Sequence, residues 1–134
     1  MPLPPEAYIV ANSTGAIERQ KGSLNGAAAV TVVPAPGAGR VRQVLCVTVP
    51  NTTAGALAIN LFHNDGLGAG TSQTLVDHLG VLAAATTYSS ALRIPVILLR
   101  DDDYLEMTTT ALAVPNYYAV WTEGPAHAFG TQVT

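Results

Sequence analysis

The decisive stretch of this chain reads Arg40-Val41-Arg42-Gln43-Val44-Leu45-Cys46-Val47-Thr48-Val49. Apolar and polar side chains alternate along most of it, and alternation with a period of two is typical of a β-strand whose two faces meet different surroundings. We expect Leu45, Val47 and Val49 to face a core and the two arginines to face away from it. The run is bounded by Gly39 and Pro50, and its length suits one strand of a sandwich or barrel.

Similar short runs recur along the chain, each bounded by Pro, Gly, Asn or Asp, at residues 27–33, 56–62, 74–82, 92–99, 104–109 and 117–123, with a shorter candidate at 8–10. Residues 74–82 also fit one face of a helix, but Gly80 would weaken a helix by about 1 kcal/mol, so we predict a strand. Residues 12–25 contain Gly, Ser and a cluster of charges, which favours a loop or a surface hairpin.

About eight short strands without a convincing long helix predict an all-β protein. The expected architecture is an antiparallel β-sandwich of the jelly-roll or immunoglobulin-like type. The alternation also predicts facing: the even-numbered residues of 92–99 share one face, with Pro95 marking an edge strand or a bulge. Further along, Leu105 and Met107 are predicted to point inward and Glu106 outward.

The composition indicates a domain that is partly covered by other chains. A length of 134 residues suits a single domain, which we assign to residues 1–134 with extended arms at 1–6 and 125–134. Hydrophobic residues make up 49% of the chain and charged residues only 11%, less than half of the roughly 25% that is usual in soluble domains. Because so little charge is available to cover the surface, we expect an oligomer or a larger assembly.

The charge balance and the cysteine content argue against several classes of protein. A net charge of -3 with only six Lys and Arg predicts no binding to nucleic acid. No apolar run approaches the roughly 20 residues of a membrane span, and residues 1–6 lack the features of a secretory signal, so we expect a protein made in the cytoplasm without membrane contact. Cys46 is the single cysteine, predicted to be a buried structural thiol, which leaves no disulfide framework.

Acidic and imidazole side chains are the candidates for chemistry. Asp101-Asp102-Asp103 could bind a hard cation, but consecutive side chains diverge, which favours a solvated turn. His63, His78 and His127 show no short-range pairing, and the adjacent Asp77 and His78 would lie on opposite faces of a strand. No nucleophile elbow, zinc-binding helix motif or phosphate-binding loop occurs. We therefore predict no catalytic residue, no cofactor and no metal.

Two groups of residues are candidates for contact with a partner protein. Tyr117 and Trp121 share one face of their strand, where they would pack in the core, contact a neighbouring subunit or bind a ligand such as a sugar. The N-terminal arm supplies the other candidates, which are Pro2, Leu3, Pro4, Pro5 and Tyr8. We expect residues 1–14 to contact a neighbouring chain and to become ordered on docking.

Three stretches resemble small structural proteins of tailed bacteriophages. Residues 31–42 combine a strand, a Pro/Gly turn and a basic strand start, and residues 47–61 join two strands through Asn51-Thr52-Thr53. Residues 82–88 lead to 96–107, which contain Arg100-Asp101-Asp102-Asp103. Residues 1–25 and the long loop at 65–73 have no counterpart in this resemblance.

The resemblance implies a virion protein with a binding role and no turnover. One implied function is that of a capsid decoration (cement) protein, which would bind and stabilise the lattice of the major capsid protein and associate with copies of itself. A trimer is favoured because capsid shells offer three-fold sites. The alternative is a tail- or fibre-associated β-module that binds another tail protein or a host glycan.

Overall fold

The computed structural model describes residues 17–66 and 72–126, and the chain is all-β within them. The strands are β1 (Ile17–Ser23), β2 (Val30–Val33), β3 (Gly37–Pro50), β4 (Leu57–Asn64), β5 (Gln73–Leu82), β6 (Thr87–Ser89), β7 (Ile97–Asp101), β8 (Tyr104–Thr109) and β9 (Asn116–Pro125), with one 3₁₀ helix at Ser90–Leu92. Within these ranges nine strands form where about eight were expected. The predicted strand at 8–10, the arm at 1–6 and residues 127–134 lie outside the described residues. Pro125, predicted to begin the second arm, instead ends β9.

The strands form two antiparallel sheets with the topology of a jelly roll. The β3 sheet has the order β1-β9-β3-β6, with β7 also paired to β3, and the β4 sheet has the order β2-β8-β4-β5. Pairing joins β1 to β9, β2 to β8, β3 to β6 and β7, and β4 to β5. The chain is therefore one long hairpin wound across both sheets.

The immunoglobulin-like alternative is excluded by the order in which the described strands change sheets. In an immunoglobulin domain the chain changes sheets at most twice in succession, from strand B to C and from C to D, whereas here it changes three times in succession, from β1 through β2 and β3 to β4. Of the two sandwich types that the sequence predicts, the protein adopts the jelly roll.

Four connecting loops meet at one end of the sandwich, which we call the Asn51 end. The β1–β2 loop binds the β8–β9 loop, since the N–H of Gly26 donates to the carbonyl of Ala113 at 2.8 Å. The β3–β4 loop binds the β5–β6 loop through Asn51, which is buried. Its side-chain amide donates to the carbonyl of Leu82 and its backbone N–H to that of Thr86, both at 2.8 Å. These bonds satisfy backbone groups that the loops would otherwise bury unpaired.

The core lies between the inner faces of the two sheets. The alternating residues of β4 and β8 fill it as predicted: Leu57, Ile59, Leu61, Leu105 and Met107 are all buried. Residues 74–82 form a strand, β5, which confirms the prediction over the helical alternative.

A bulge in β3 breaks its alternation. The pairing of β3 with β9 shifts by one residue between Val44 and Cys46, so Leu45 is the extra residue. Val44 and Val47 are therefore both buried, and Leu45 is only half-buried. The prediction that Leu45 faces the core together with Val47 is wrong, because an inserted residue reverses the facing of everything before it.

Residues 17–23 form a strand, where the sequence predicted a loop or a surface hairpin. β1 lies at a sheet edge and pairs with β9. Its inward-facing residues are polar, so no hydrophobic alternation marks the strand. Their partners come from β9 instead: Glu18 accepts a hydrogen bond from Nε1 of Trp121 at 3.2 Å, and Gln20 donates to the hydroxyl of Tyr117 at 2.9 Å.

The predicted strand at 92–99 is wrong in its first half and in its facing. Leu92 ends the 3₁₀ helix and is 87% exposed, and β7 begins only at Ile97. Within β7, Leu99 is buried and Leu98 is exposed, so the odd-numbered residues face the core. The 3₁₀ helix interrupts the extended backbone before β7, so the apolar alternation read along residues 92–99 does not describe a single continuous strand. The edge position that Pro95 suggested is correct, since β7 pairs with β3 at the margin of its sheet.

Candidate functional site

The two aromatic residues predicted to contact a partner belong to the core. Tyr117 and Trp121 share the inner face of β9 and are 5% and 4% exposed. Contact with a partner chain stays a prediction for both. Pro2, Leu3, Pro4, Pro5 and Tyr8 lie outside the described residues.

An ion-pair network links the first half of β3 to β9. Arg42 donates Nε to Glu123 Oε1 at 2.7 Å and Nη1 to the carbonyl of Pro34 at 2.6 Å, and its guanidinium lies 5.0 Å from the ring centre of Trp121. Arg40 donates Nε to the second carboxylate oxygen of Glu123 at 3.0 Å. Burial alone would raise the pKa of Glu123, but the two arginines outweigh it and hold that pKa below its usual value. The prediction that Arg42 faces away from the core is wrong because of the β3 bulge.

A second cluster joins the edge of one sheet to the edge of the other. Asp77 of β5 accepts a hydrogen bond from the hydroxyl of Tyr88 at 2.7 Å and two from Arg93, at 2.8 Å from Nε and 3.0 Å from Nη2. Burial alone would raise the pKa of Asp77, but the hydrogen bonds from Arg93 and Tyr88 outweigh it and lower that pKa. Burial and the neighbouring carboxylate of Asp77 raise the pKa of Tyr88. This cluster ties the two sheets together by a bidentate ion pair.

Asp77 and His78 are not arranged as a catalytic dyad. Asp77 is opposite the buried Leu61, and His78 is opposite Asn60 on the outer face, with Nδ1 at 2.5 Å from its side-chain oxygen. The two side chains therefore point to opposite faces, as the sequence predicts.

The aspartates at the β7–β8 turn have backbone and histidine partners. Asp101 Oδ1 accepts a hydrogen bond from the N–H of Gly39 at 2.9 Å. Asp103 Oδ2 lies 3.4 Å from Nε2 of His63. In the part of the chain that the structure describes, no three His, Cys, Asp or Glu side chains are grouped so that they could hold a metal ion.

Glu106 points outward, as the sequence predicts, but its burial was not foreseen. It lies on the outer side of β8, between the inward-facing Leu105 and Met107, but it is only 7% exposed. Its Oε1 accepts hydrogen bonds from the side-chain amides of Asn64, at 3.2 Å, and Gln73. These amides belong to β4 and β5, so no local pattern around Glu106 could reveal them.

The outer face of the β3 sheet gathers the cations that form no ion pair among the described residues. Arg19 and Lys21 of β1 face outward beside Val120 and Tyr118 of β9, and Arg100 faces outward from β7. The chain's remaining cations bind carboxylates, namely Arg40 and Arg42 with Glu123, and Arg93 with Asp77. Arg19 and Lys21 therefore lie together on β1, at one margin of the sheet, whereas Arg100 lies on β7 at the opposite margin, next to the exposed Asp101 and Asp102.

A cavity of about 600 Å³ opens on this face at the Asn51 end. Its lining includes Lys21, Ser23, Thr48, Asn116 and Tyr118. Tyr118 is 36% exposed and is the aromatic ring that β9 presents to the outside. The cavity thus combines a ring face with hydroxyl, amide and ammonium groups.

Large apolar side chains are exposed at nine positions among the described residues: Ile17, Leu75, Val81, Leu92, Val96, Leu98, Leu112, Val114 and Tyr118. Cys46 is half-buried where the sequence predicted burial, and its Sγ lies 3.3 Å from Oγ of Ser89. None of the helical residues that the structure describes forms a segment long and apolar enough to cross a membrane.

Comparison with known proteins finds no matching family model and no matching curated protein. Among solved structures, the chain is similar to a subunit of Bacillus endospore appendages, described as disulfide-linked pili, with 14% identity and a TM-score of 0.43 over 81% of this chain and 88% of the other. It is also similar to a chain of the cyanophage Pam1 capsid, with 16% identity and a TM-score of 0.39 over 81% and 85%.

A third similar structure is a chain of the T13 viral particle of infectious bursal disease virus, with 10% identity and a TM-score of 0.46 over 85% of this chain and 32% of the other. This chain spans about a third of the length of that viral protein. The structures that it resembles thus include viral capsid and pilus proteins. At identities and TM-scores this low, the similarities carry no functional conclusion.

Proposed function

We propose that this protein is a non-enzymatic structural component of a virion, namely a capsid decoration protein that binds and stabilises the lattice of the major capsid protein. The observation that carries the proposal is the unequal use of charged and apolar side chains. Half of the Lys and Arg side chains form ion pairs within the chain, while nine large apolar side chains remain exposed among the described residues. A surface of this kind favours burial against other subunits.

The jelly-roll topology agrees with this proposal. Double-sheet jelly rolls are widespread in viral capsid proteins, although they also occur in lectins and cupins. Fold alone does not assign function, so the topology adds support only together with the surface chemistry and with the resemblance of residues 31–42 and 47–61 to phage structural proteins.

Several small interfaces would act together in such a protein. Each contact buries apolar surface at about 25 cal/mol per Å², and much of this gain is offset by the cost of association. Contacts made at once by the N-terminal arm, with Pro2, Leu3, Pro4, Pro5 and Tyr8, and by the sandwich would multiply through effective concentration. The partners proposed are the major capsid protein and further copies of this chain, with a trimer favoured.

The number of copies per particle tests this function. Purified protein is added to expanded shells that lack it, and bound copies are counted by mass or by imaging. We expect the count to scale with the number of lattice positions in the shell. A count of only a few copies per particle, or binding confined to tails, would refute capsid decoration.

A second candidate function is a tail- or fibre-associated module that binds a host glycan. The cavity that contains Tyr118, Lys21 and Asn116 supports it, since an aromatic ring with amide and hydroxyl neighbours suits a sugar. Glycan-array binding that is lost in Tyr118→Ala and retained in Tyr104→Ala would favour this candidate over decoration.

A further inference from the structure

We propose that the cavity on the outer face of the β3 sheet, at the Asn51 end, is a binding site for a sugar that carries a carboxylate group. The inference deepens the second candidate function, on which it rests, by naming the class of glycan. The cavity measures about 600 Å³, which lies within the range of roughly 300–1,000 Å³ that is usual for small-ligand sites.

Strand pairing places three different side chains in one row across the cavity. Tyr118 of β9 is directly opposite Lys21 of β1 on one side and Thr48 of β3 on the other, and all three line the cavity. Directly opposite residues on one face of a sheet have Cβ atoms about 4.5–5.5 Å apart, so an ammonium group and a hydroxyl group flank the aromatic ring. A sugar ring stacked on Tyr118 would therefore lie within reach of both.

The hydroxyl and amide groups of the cavity suit the hydroxyls of a sugar. Ser23 Oγ donates a hydrogen bond to Oδ1 of Asn116 at 2.9 Å, which leaves the two N–H groups of that amide without a partner among the described residues. Thr48 Oγ1 donates to the carbonyl of Tyr118 at 3.3 Å, so its lone pairs remain available as acceptors. Sugar hydroxyls both donate and accept, whereas an apolar ligand would leave these groups unpaired.

The charge of the cavity favours an acidic sugar over a neutral one. Of the eight described residues that line it, Lys21 carries a charge and none is acidic. Lys21 is exposed and forms no ion pair among the described residues, and Arg19 adds a second positive charge on the same face of β1. The carboxylate of Glu18, also on β1, faces inward and accepts a hydrogen bond from Trp121. The positive charge at the cavity is thus uncompensated, which favours a negatively charged ligand.

The neighbours of Lys21 favour a carboxylate on a sugar ring over an isolated anion. One exposed ammonium group holds a small anion weakly, because water and salt compete with it. Stacking on Tyr118 and hydrogen bonds with Asn116 and Thr48 would supply the remaining binding free energy. A ligand with an apolar ring face, several hydroxyls and one carboxylate uses all of these groups at once. Uronic acids and sialic acids share this combination.

Titration of the full chain with matched acidic and neutral sugars, followed by amide chemical shifts in NMR, tests the proposal. The probes are a trisaccharide of galacturonic acid and sialyllactose, each compared with its methyl ester, which removes the charge and keeps the rest of the molecule. At about 0.02 M salt we expect at least one acid to bind at least about threefold tighter than its ester, with the largest shifts at residues 21–23, 48 and 116–118. At about 1 M salt this preference should fall below about 1.5-fold, because exposed charges are screened.

Three variants locate the site. Lys21→Gln should bind acid and ester with equal affinity, and Tyr118→Ala should weaken the binding of both at least about threefold. Arg100→Gln, at the opposite margin of the same sheet, is the control and should bind both probes like the wild type. Thermal unfolding midpoints equal to the wild type establish that the variants fold, and if Tyr118→Ala is unfolded, Lys21→Gln still decides the proposal.

Three results would overturn the proposal: no binding of either acid up to about 10 mM, equal affinity for acid and ester in the wild type, or displacement of the bound acid by an equal concentration of a short polyglutamate peptide, which would show that charge alone suffices. Equal affinity for acid and ester leaves the glycan-binding candidate standing, since a neutral sugar then binds. Capsid decoration is judged by the copies counted on shells. The failures of the three proposals are thereby distinguishable.

Discussion

Arg93 and Asp77 form a bidentate ion pair that joins the 3₁₀ helix at the edge of the β3 sheet to β5 at the edge of the β4 sheet. The same carboxylate accepts the hydroxyl proton of the buried Tyr88. One nearly buried acidic side chain thus links the edge of one sheet to the edge of the other.

Replacing Asp77 with Asn should lower the free energy of unfolding by about 1–3 kcal/mol, because the hydroxyl of Tyr88 and the guanidinium of Arg93 lose an ionised acceptor. The matched control is Asp102→Asn, at an exposed turn position, which should change stability by less than about 0.5 kcal/mol. Urea unfolding monitored by circular dichroism measures both. Equal stability of the two variants would contradict a closing role for Asp77.

Acid should destabilise the protein through Asp77 and Glu123. Both have a pKa that is lower in the folded state than in the unfolded chain, where the usual values are about 3.9 and 4.3. The stabilisation is therefore complete above those unfolded values and is lost as the pH falls through the lowered folded values. Urea midpoints measured from pH 7 down to pH 2 should fall below about pH 4, and they should fall less in Asp77→Asn. A midpoint that stays constant over this range would contradict the two lowered pKa values.

Replacing Arg42 with Met should destabilise the protein by about 1–3 kcal/mol, because the half-buried Glu123 loses the shorter of its two hydrogen bonds from arginine and Trp121 loses the cation over its ring. Arg100→Met is the control, since Arg100 is exposed and forms no ion pair among the described residues, and it should change stability by less than about 0.5 kcal/mol. Urea unfolding followed by Trp121 fluorescence measures both variants. A loss in Arg100→Met as large as that in Arg42→Met would show that the contacts of Arg42 add nothing.

The loop contact between Gly26 and Leu112 predicts opposite effects at two positions. Both residues have a positive φ, 56° and 67°. A Cβ at position 26 would lie 2.9 Å from the backbone nitrogen of Leu112, so Gly26→Ala should destabilise by at least about 1 kcal/mol. Leu112→Gly removes the strain of a left-handed backbone conformation, but glycine also increases the conformational entropy of the unfolded chain. The net effect should be a rise of up to about 1 kcal/mol in the free energy of unfolding. Thermal unfolding distinguishes these signs, and a loss of stability in both variants would contradict strain at Leu112.

Deleting residues 1–14 should reduce occupancy on capsid shells at least about tenfold, because multivalent binding loses one of its contacts. The deletion ends before β1, so the sandwich should retain its unfolding midpoint. Occupancy is measured by adding equal amounts of truncated and full-length protein to shells that lack it. Unchanged occupancy would refute a docking role for the arm and for Pro2, Leu3, Pro4, Pro5 and Tyr8.

Local patterns were sufficient for the strands whose apolar residues alternate without interruption. β4 and β8 lie where the alternation predicts them. No residue is inserted in their inner-facing series, which run from Leu57 to Leu61 and from Leu105 to Met107, so these side chains face the core as predicted. The all-β class follows from the same signal, since a period of two is incompatible with a helical core face.

The remaining features of the fold depend on which distant strands pair with each other. The bulge at Leu45, the strand at 17–23 and the burial of Glu106 all depend on residues that are far away in the chain. No local signal marks these positions. The facing of residues 92–99 was limited in the same way: Leu92, Ile94 and Leu98 were predicted to share one face, but Ile94 packs against the core whereas Leu92 and Leu98 are exposed.

The amino-acid sequence by itself determined that this protein is a β-sandwich poor in charge, because side-chain alternation and composition are properties of the chain alone. Only the tertiary structure decided that the sandwich is a jelly roll and which apolar residues remain outside it. The physical reason is that register and facing are set by hydrogen bonds between distant strands, and one inserted residue is enough to turn a side chain from the core to the solvent.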